Sequence, residues 1–143
     1  MTKLIFLIAV ALLLVSSVIT AGADVTVQSL EPQGMIGPQF THISYLNSRL
    51  SITPSGEAIC RGAVALYNSS HTVELTIELQ KLDGTQWIAL RSWTVSGSGP
   101  FDVEIERSHY VTSGTYRVLT TAKVLDKGIL VETGTSYSPV TTY

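Results

Sequence analysis

Hydrophobic and polar residues alternate along much of the chain with a period of two. From Thr72 to Lys81 the sequence runs TVELTIELQK. Val73, Leu75, Ile77 and Leu79 share one parity; Thr72, Glu74, Thr76, Glu78 and Gln80 share the other. Successive side chains of a strand point to opposite faces, so this pattern predicts a strand with one buried and one wet face. FDVEIER repeats it, with Phe101, Val103 and Ile105 expected inward and Asp102, Glu104 and Glu106 outward. RLSIT, EAICRGAVALY, QWIALRSWTV, TYRVLTTAKVL and ILVETGTSYSPV bring the set to about seven strands. Turn signals separate them: PSG, NSS, LDGT, SGSGP, TSG and DKG. Asp83-Gly84 and Lys127-Gly128 supply the left-handed backbone that tight hairpins need. Short antiparallel strands, each burying one face, predict an all-β fold, an Ig-like antiparallel β-sandwich.

The N-terminus breaks this pattern. Lys3 is followed by an unbroken apolar run from Leu4 to Val15, then a polar stretch and Ala21-Gly22-Ala23. That is a charged n-region, a short h-region and an A-x-A site, so residues 1–23 are expected to be a signal peptide cut before Asp24. The run is shorter than the ~20 apolar residues a membrane span prefers. A retained anchor is therefore the weaker reading, and no stable membrane insertion is expected after cleavage. Pro32, Gly34, Gly37 and Pro38 punctuate residues 24–39, which read as a flexible arm before the sandwich domain at 40–143. The expected destination is extracellular, either secreted or held at the cell surface.

Charge narrows the partners. Nine basic residues against eleven acidic ones give a formal net charge of −2, and no basic run exists. A phosphate backbone demands clustered positive charge, so nucleic-acid binding is disfavoured. The one cysteine, Cys60, has no partner in an oxidising destination. It shares a parity with Ala58, Gly62, Val64 and Leu66 in the second strand, a face expected to be buried. SGTYRV at 113–118 fits the tyrosine corner of immunoglobulin-type sandwiches, with Tyr116 at the tyrosine and Val118 where the second cysteine would stand. Cys60 then occupies the place of the first cysteine, and its thiol is expected to act as a small core hydrophobe.

The run from PQFTHISYLNSRLSITPSGEAIC to LQKLDGTQWIALRSWTVSGSG, followed by HYVTSGTYRVLTTAKV, resembles small secreted proteins of Gram-positive, clostridial-type bacteria. In these a signal peptide precedes one β-sandwich domain of unknown function. The resemblance covers the chain from about Pro38 to the C-terminus. It implies an Ig-like fold and an extracellular location, and it brings no activity or functional residue with it.

Catalytic chemistry finds little support in the residues. His42, His71 and His109 lack the local spacing of zinc ligands, and no G-x-S-x-G elbow occurs. Gly97-Ser98-Gly99 reads as part of a turn. Glu74 with Glu78, and Asp102 with Glu104 and Glu106, fall on wet faces with no apolar pocket to raise a carboxyl pKa. No calcium loop of the D-x-D-x-D-G type appears, and no metal or cofactor is expected. Asn68-Ser69-Ser70 matches a glycosylation acceptor, which in a bacterial host is only turn chemistry.

Aromatic residues supply the sharpest candidate. Trp87 and Trp93 lie at even spacing in QWIALRSWTV, so an unbroken strand would put both on one face with Arg91. If Ile88 and Leu90 point inward, Trp87, Arg91 and Trp93 form an exposed strip fit to stack against a sugar ring or a peptide. The alternative is that one or both indoles pack in the core. The expected function is a secreted, non-catalytic binding or adhesion-type module for a glycan, peptide or protein. A structural or assembly component of the cell surface is the alternative, and a small extracellular hydrolase the weakest reading.

Overall fold

The computed structural model describes residues 39–99 and 101–143; the expected signal peptide, and the arm apart from its last residue, lie outside them. Strand β1 is Ile43–Ile52, β2 Glu57–Leu66, β3 Thr72–Asp83, β4 Gln86–Ser98 and β5 Val103–Tyr110. β6 is Thr115–Asp126, β7 Ile129–Tyr137 and β8 the short Thr141–Thr142. One sheet has the order β1-β2-β5; the other has four long strands in the order β4-β3-β6-β7 and a fifth, the two-residue β8, paired to the start of β6. Every pairing is antiparallel. This is an immunoglobulin-like β-sandwich in which the fourth strand lies beside the third. In the constant-domain arrangement it would sit in the sheet of the first two.

The predicted alternation is what packs the two sheets. Val73, Leu75, Ile77 and Leu79 of β3 face inward beside Tyr116, Val118, Ala122 and Val124 of β6. Ala58, Cys60 and Val64 of β2 come from the opposing sheet into the same core. Fully burying one such large aliphatic side chain stabilises the fold by about 1.5–3 kcal/mol. Gly62 marks where the sheets come closest. A Cβ on it would stand 2.5 Å from Ile77 Cγ2 and 2.9 Å from Thr120 Cγ2, so no side chain fits there.

The hairpins close as their residues predict. Gly84 has φ 60°, and Lys127 and Gly128 have φ 49° and 83°. Two consecutive positive φ values are the signature of a type I′ turn, whose twist matches that of the flanking strands. Two expectations need correcting. Phe101 does not face inward; it is 80 % exposed, because the chain joins the ladder only at Val103. The first strand begins at Ile43, not at Arg49. Its register shifts between Ile43 and Tyr45, and that irregularity breaks the alternation.

Polar groups lock the periphery to this core. The Tyr116 hydroxyl donates to the Thr112 carbonyl at 2.6 Å, the bond of a tyrosine corner. The Val118 carbonyl accepts from Ser138 N at 2.9 Å and from Ser48 Oγ at 3.0 Å, tying β1 to the four-stranded sheet. At the entry to β1, the Glu132 carboxylate on β7 accepts three backbone amides: Thr41 at 2.7 Å, His42 at 2.8 Å and Ile43 at 2.9 Å. Partial burial pushes the Glu132 carboxyl up. The three amide bonds outweigh it and hold its pKa below the usual range, with His42 adding a smaller pull the same way.

A carboxyl with a depressed folded pKa stabilises the fold above its unfolded pKa and loses that stabilisation as pH falls through its folded value. Glu132→Gln is expected to cost about 1–2 kcal/mol in urea unfolding at pH 7, within the range for hydrogen bonds to a charged acceptor. The deficit should shrink as pH drops below the ordinary carboxyl pKa of about 4.3. A pH-independent difference would show that the charge of Glu132 is not what matters.

Candidate functional site

The two tryptophans do not share a face. In the β3–β4 ladder Leu79 pairs with Arg91 and Gln80 with Ala89, so Leu90 is an extra residue in β4. This bulge reverses parity midway along the strand. On its C-terminal side Trp93 pairs with Ile77 and packs against the core with Val95. On its N-terminal side Trp87 pairs with Leu82, on the outward parity of Gln80 and Glu78. Arg91 sits at the bulge, exposed, and its guanidinium donates to the Leu90 carbonyl at 3.2 Å. The expected Trp87–Arg91–Trp93 strip is therefore not one surface.

Trp87 instead belongs to a different constellation on the outer face of the four-stranded sheet. Arg117 of β6 lies between two aromatic rings, its guanidinium carbon 4.2 Å from the Trp87 ring centroid and 4.2 Å from that of Tyr137. A planar cation over a ring face is attracted by the ring quadrupole, by about 0.5–1 kcal/mol per contact where water has access. Arg117 Nε also donates to Gln80 Oε1 at 2.7 Å, and Gln80 Nε2 donates to Glu78 Oε1 at 2.5 Å. The register explains the meeting: Gln80 is directly opposite Arg117, and Tyr137 is opposite Leu119, one outward position further along β6. The stack buries Gln80 but leaves Tyr137 54 % exposed. It offers aromatic surface, unspent guanidinium donors and a carboxylate along one row, a set suited to binding a polar ligand.

A second depression, of about 320 Å³, opens on the outer face of the three-stranded sheet. Tyr45, Asn47, Arg49, Arg61, Glu104 and Glu106 rim it above the small residues Gly62 and Ala63. Arg61 and Glu106 are cross-strand neighbours and form an ion pair, and Asn47 donates to the Tyr45 hydroxyl. Two of its four charges thus answer one another. A third pairing was invisible to local spacing. The His42 and His71 rings meet edge to face at 4.9 Å, and the buried His71 Nδ1 has no hydrogen-bond partner among the described residues. Two imidazoles fall short of a zinc ligand set, and among the described residues no group of three or more His, Cys, Asp or Glu side chains converges.

Cys60 and Val118 are both fully buried in the core, and the thiol is free. Burial pushes the Cys60 pKa up to about 12, which removes the thiolate that nucleophilic or metal chemistry would need. No protein-family model matches the chain, and no curated protein matches it.

Cys60 should accordingly resist alkylation in the folded protein. Maleimide labelling at pH 8, followed by mass spectrometry, is expected to run at least about 100-fold slower than in concentrated urea, because reaction waits on opening of the core. Native labelling at the rate of a free thiol would contradict this burial.

Proposed function

We infer that the protein is an extracellular, non-catalytic binding module, and that its ligand docks on the outer face of the four-stranded sheet. The observation that carries this reading is the Trp87–Arg117–Tyr137 stack. Aromatic rings present apolar area at low entropic cost, and the remaining guanidinium donors with Glu78 can orient a polar ligand. A sugar ring or an extended peptide meets both requirements, and a protein surface could supply the same groups. An export-type N-terminus and the resemblance to secreted proteins of Gram-positive bacteria support the extracellular setting. A structural role at the cell surface is the second reading, favoured by the edge of β4, which pairs only with β3 among the described residues.

Glycan and peptide arrays probed with the native protein test this function. Binding to a defined glycan or peptide set is expected. Trp87→Ala and Tyr137→Ala should each weaken it by about tenfold or more, the scale of losing one well-placed aromatic contact. Trp93→Phe, a change on the core side of the bulge, should leave affinity within about twofold once folding is verified. Binding indifferent to both Trp87→Ala and Tyr137→Ala would move the site elsewhere.

A further inference from the structure

We propose that the C-terminal half of β4, Ser92–Ser98, pairs with the same segment of a second copy, joining two four-stranded sheets edge to edge. This does not rest on the ligand reading above.

A sheet edge exposes a row of unpaired N–H and C=O groups, and proteins blunt such edges with charge, proline, bulges or cover. Three of the four edges here are blunted. The β5 edge carries Glu104, Glu106 and Arg107. The β7 edge is irregular at Val124/Leu125, and its Glu132 is engaged by the chain entering β1. The β1 edge has a register irregularity between Ile43 and Tyr45 and carries Arg49. β4 differs. Its bulge and Arg91 guard only the N-terminal half. From Ser92 to Ser98 the sequence is SWTVSGS, with no charge and no proline. This stretch pairs with β3 on one side, and no backbone hydrogen bond from Ser92–Ser98 to any other strand or loop occurs among the described residues.

The occupant follows from self-complementarity. A two-fold axis through Val95 makes the pairing antiparallel and matches Ser92 with Ser98, Trp93 with Gly97, Thr94 with Ser96, and Val95 with itself. On the outer face hydroxyl meets hydroxyl, as Thr94 already does with Thr76 across β3 at 2.8 Å. On the inner face each half-buried Trp93 comes opposite the other copy's Gly97. Gly97 brings no side chain of its own to obstruct that ring. Val103 fills the space above Gly97, within 2.5 Å of where a Cβ would lie, so the incoming indole would meet an apolar surface. Both indole contacts form at once because the interface is isologous.

Light scattering of the full-length protein, combined with substitutions at exposed outer-face positions, tests the surface and the register together. The wild type is expected to be a dimer. Ser92→Lys with Ser98→Lys sets lysine opposite lysine at both ends of the pairing and should raise the dimer dissociation constant at least about tenfold. In the single copy these sites are exposed, and Ser92 lies opposite Glu78, so circular dichroism and the urea midpoint should not fall. Ser92→Lys with Ser98→Glu puts opposite charges across the same pairs and should restore the dimer, more weakly in high salt. A wild type that stays monomeric at about 1 mM, the regime of affinities near −4 kcal/mol, overturns the proposal. So does a dimer that ignores the double lysine. Dissociation by two lysines without rescue by the Lys/Glu variant overturns the Val95-centred register.

Discussion

Everything else in the molecule is referred to the β3–β6 ladder. These two strands pair without a register break from Thr72–Leu125 to Lys81–Tyr116, and they lie at the centre of the larger sheet. Their inward residues are fully buried and form more than half of the core among the described residues. Because the period of a strand is two, fixing that inner set fixes the outer one at the same stroke. Gln80 and Arg117 end up directly opposite each other on the wet face only because Leu79 and Val118 are buried. A slip of one residue would expose four large aliphatics of β3, at several kcal/mol, and would also dissolve the stack with Trp87 and Tyr137.

The flanking strands can depart from regularity because the centre does not. β4 carries a bulge at Leu90 and β7 a register shift beside Val131, each on an edge where an extra residue disturbs one ladder only. In β4 the departure has a consequence for both faces. It lets one strand give Trp93 to the core and Trp87 to the outer surface. A regular strand of that sequence would have forced both indoles into one environment. The bulge therefore separates a packing residue from a candidate contact residue.

This accounts for what could be read from the sequence. Strands β2, β3 and β6 alternate cleanly because both their neighbours are fixed and their inner faces are wholly buried, so their extents and faces were legible. The tyrosine corner was legible for the same reason, since Tyr116 opens a regular strand. The β4 bulge was not. Ile88, Ala89 and Leu90 are apolar on both parities, and a half-buried edge strand imposes too little contrast to mark an extra residue. The start of β1 was hidden by a register irregularity, and Phe101 misled because its parity continues that of β5 although the strand has not yet begun. Of the residues in the outer-face stack, Trp87 stood out in the sequence. Arg117 and Tyr137 did not, since each is an ordinary outward residue until the register of two further ladders brings it to Trp87.

The free thiol shows how the same core can do without its usual covalent link. In antibody domains a disulfide joins the second and sixth strands between sheets. Here those places hold Cys60 and Val118, both fully buried. A disulfide acts largely by restricting the unfolded chain, and a chain that buries this many aliphatic residues does not depend on it. What replaces it is a set of polar ties from the edges into the central strands. Ser48 and Ser138 converge on the Val118 backbone, and Glu132 gathers three amides at the entry to β1. The Ser48 and Glu132 ties reach between the sheets, and the Ser138 tie holds the segment after β7 to β6. The first two hold β1 to the four-stranded sheet, while among the described residues no comparable tie reaches across the outer side of β4. The β4 edge has no such tie among the described residues and, from Ser92 to Ser98, no charge or proline; the two together leave it open to another chain.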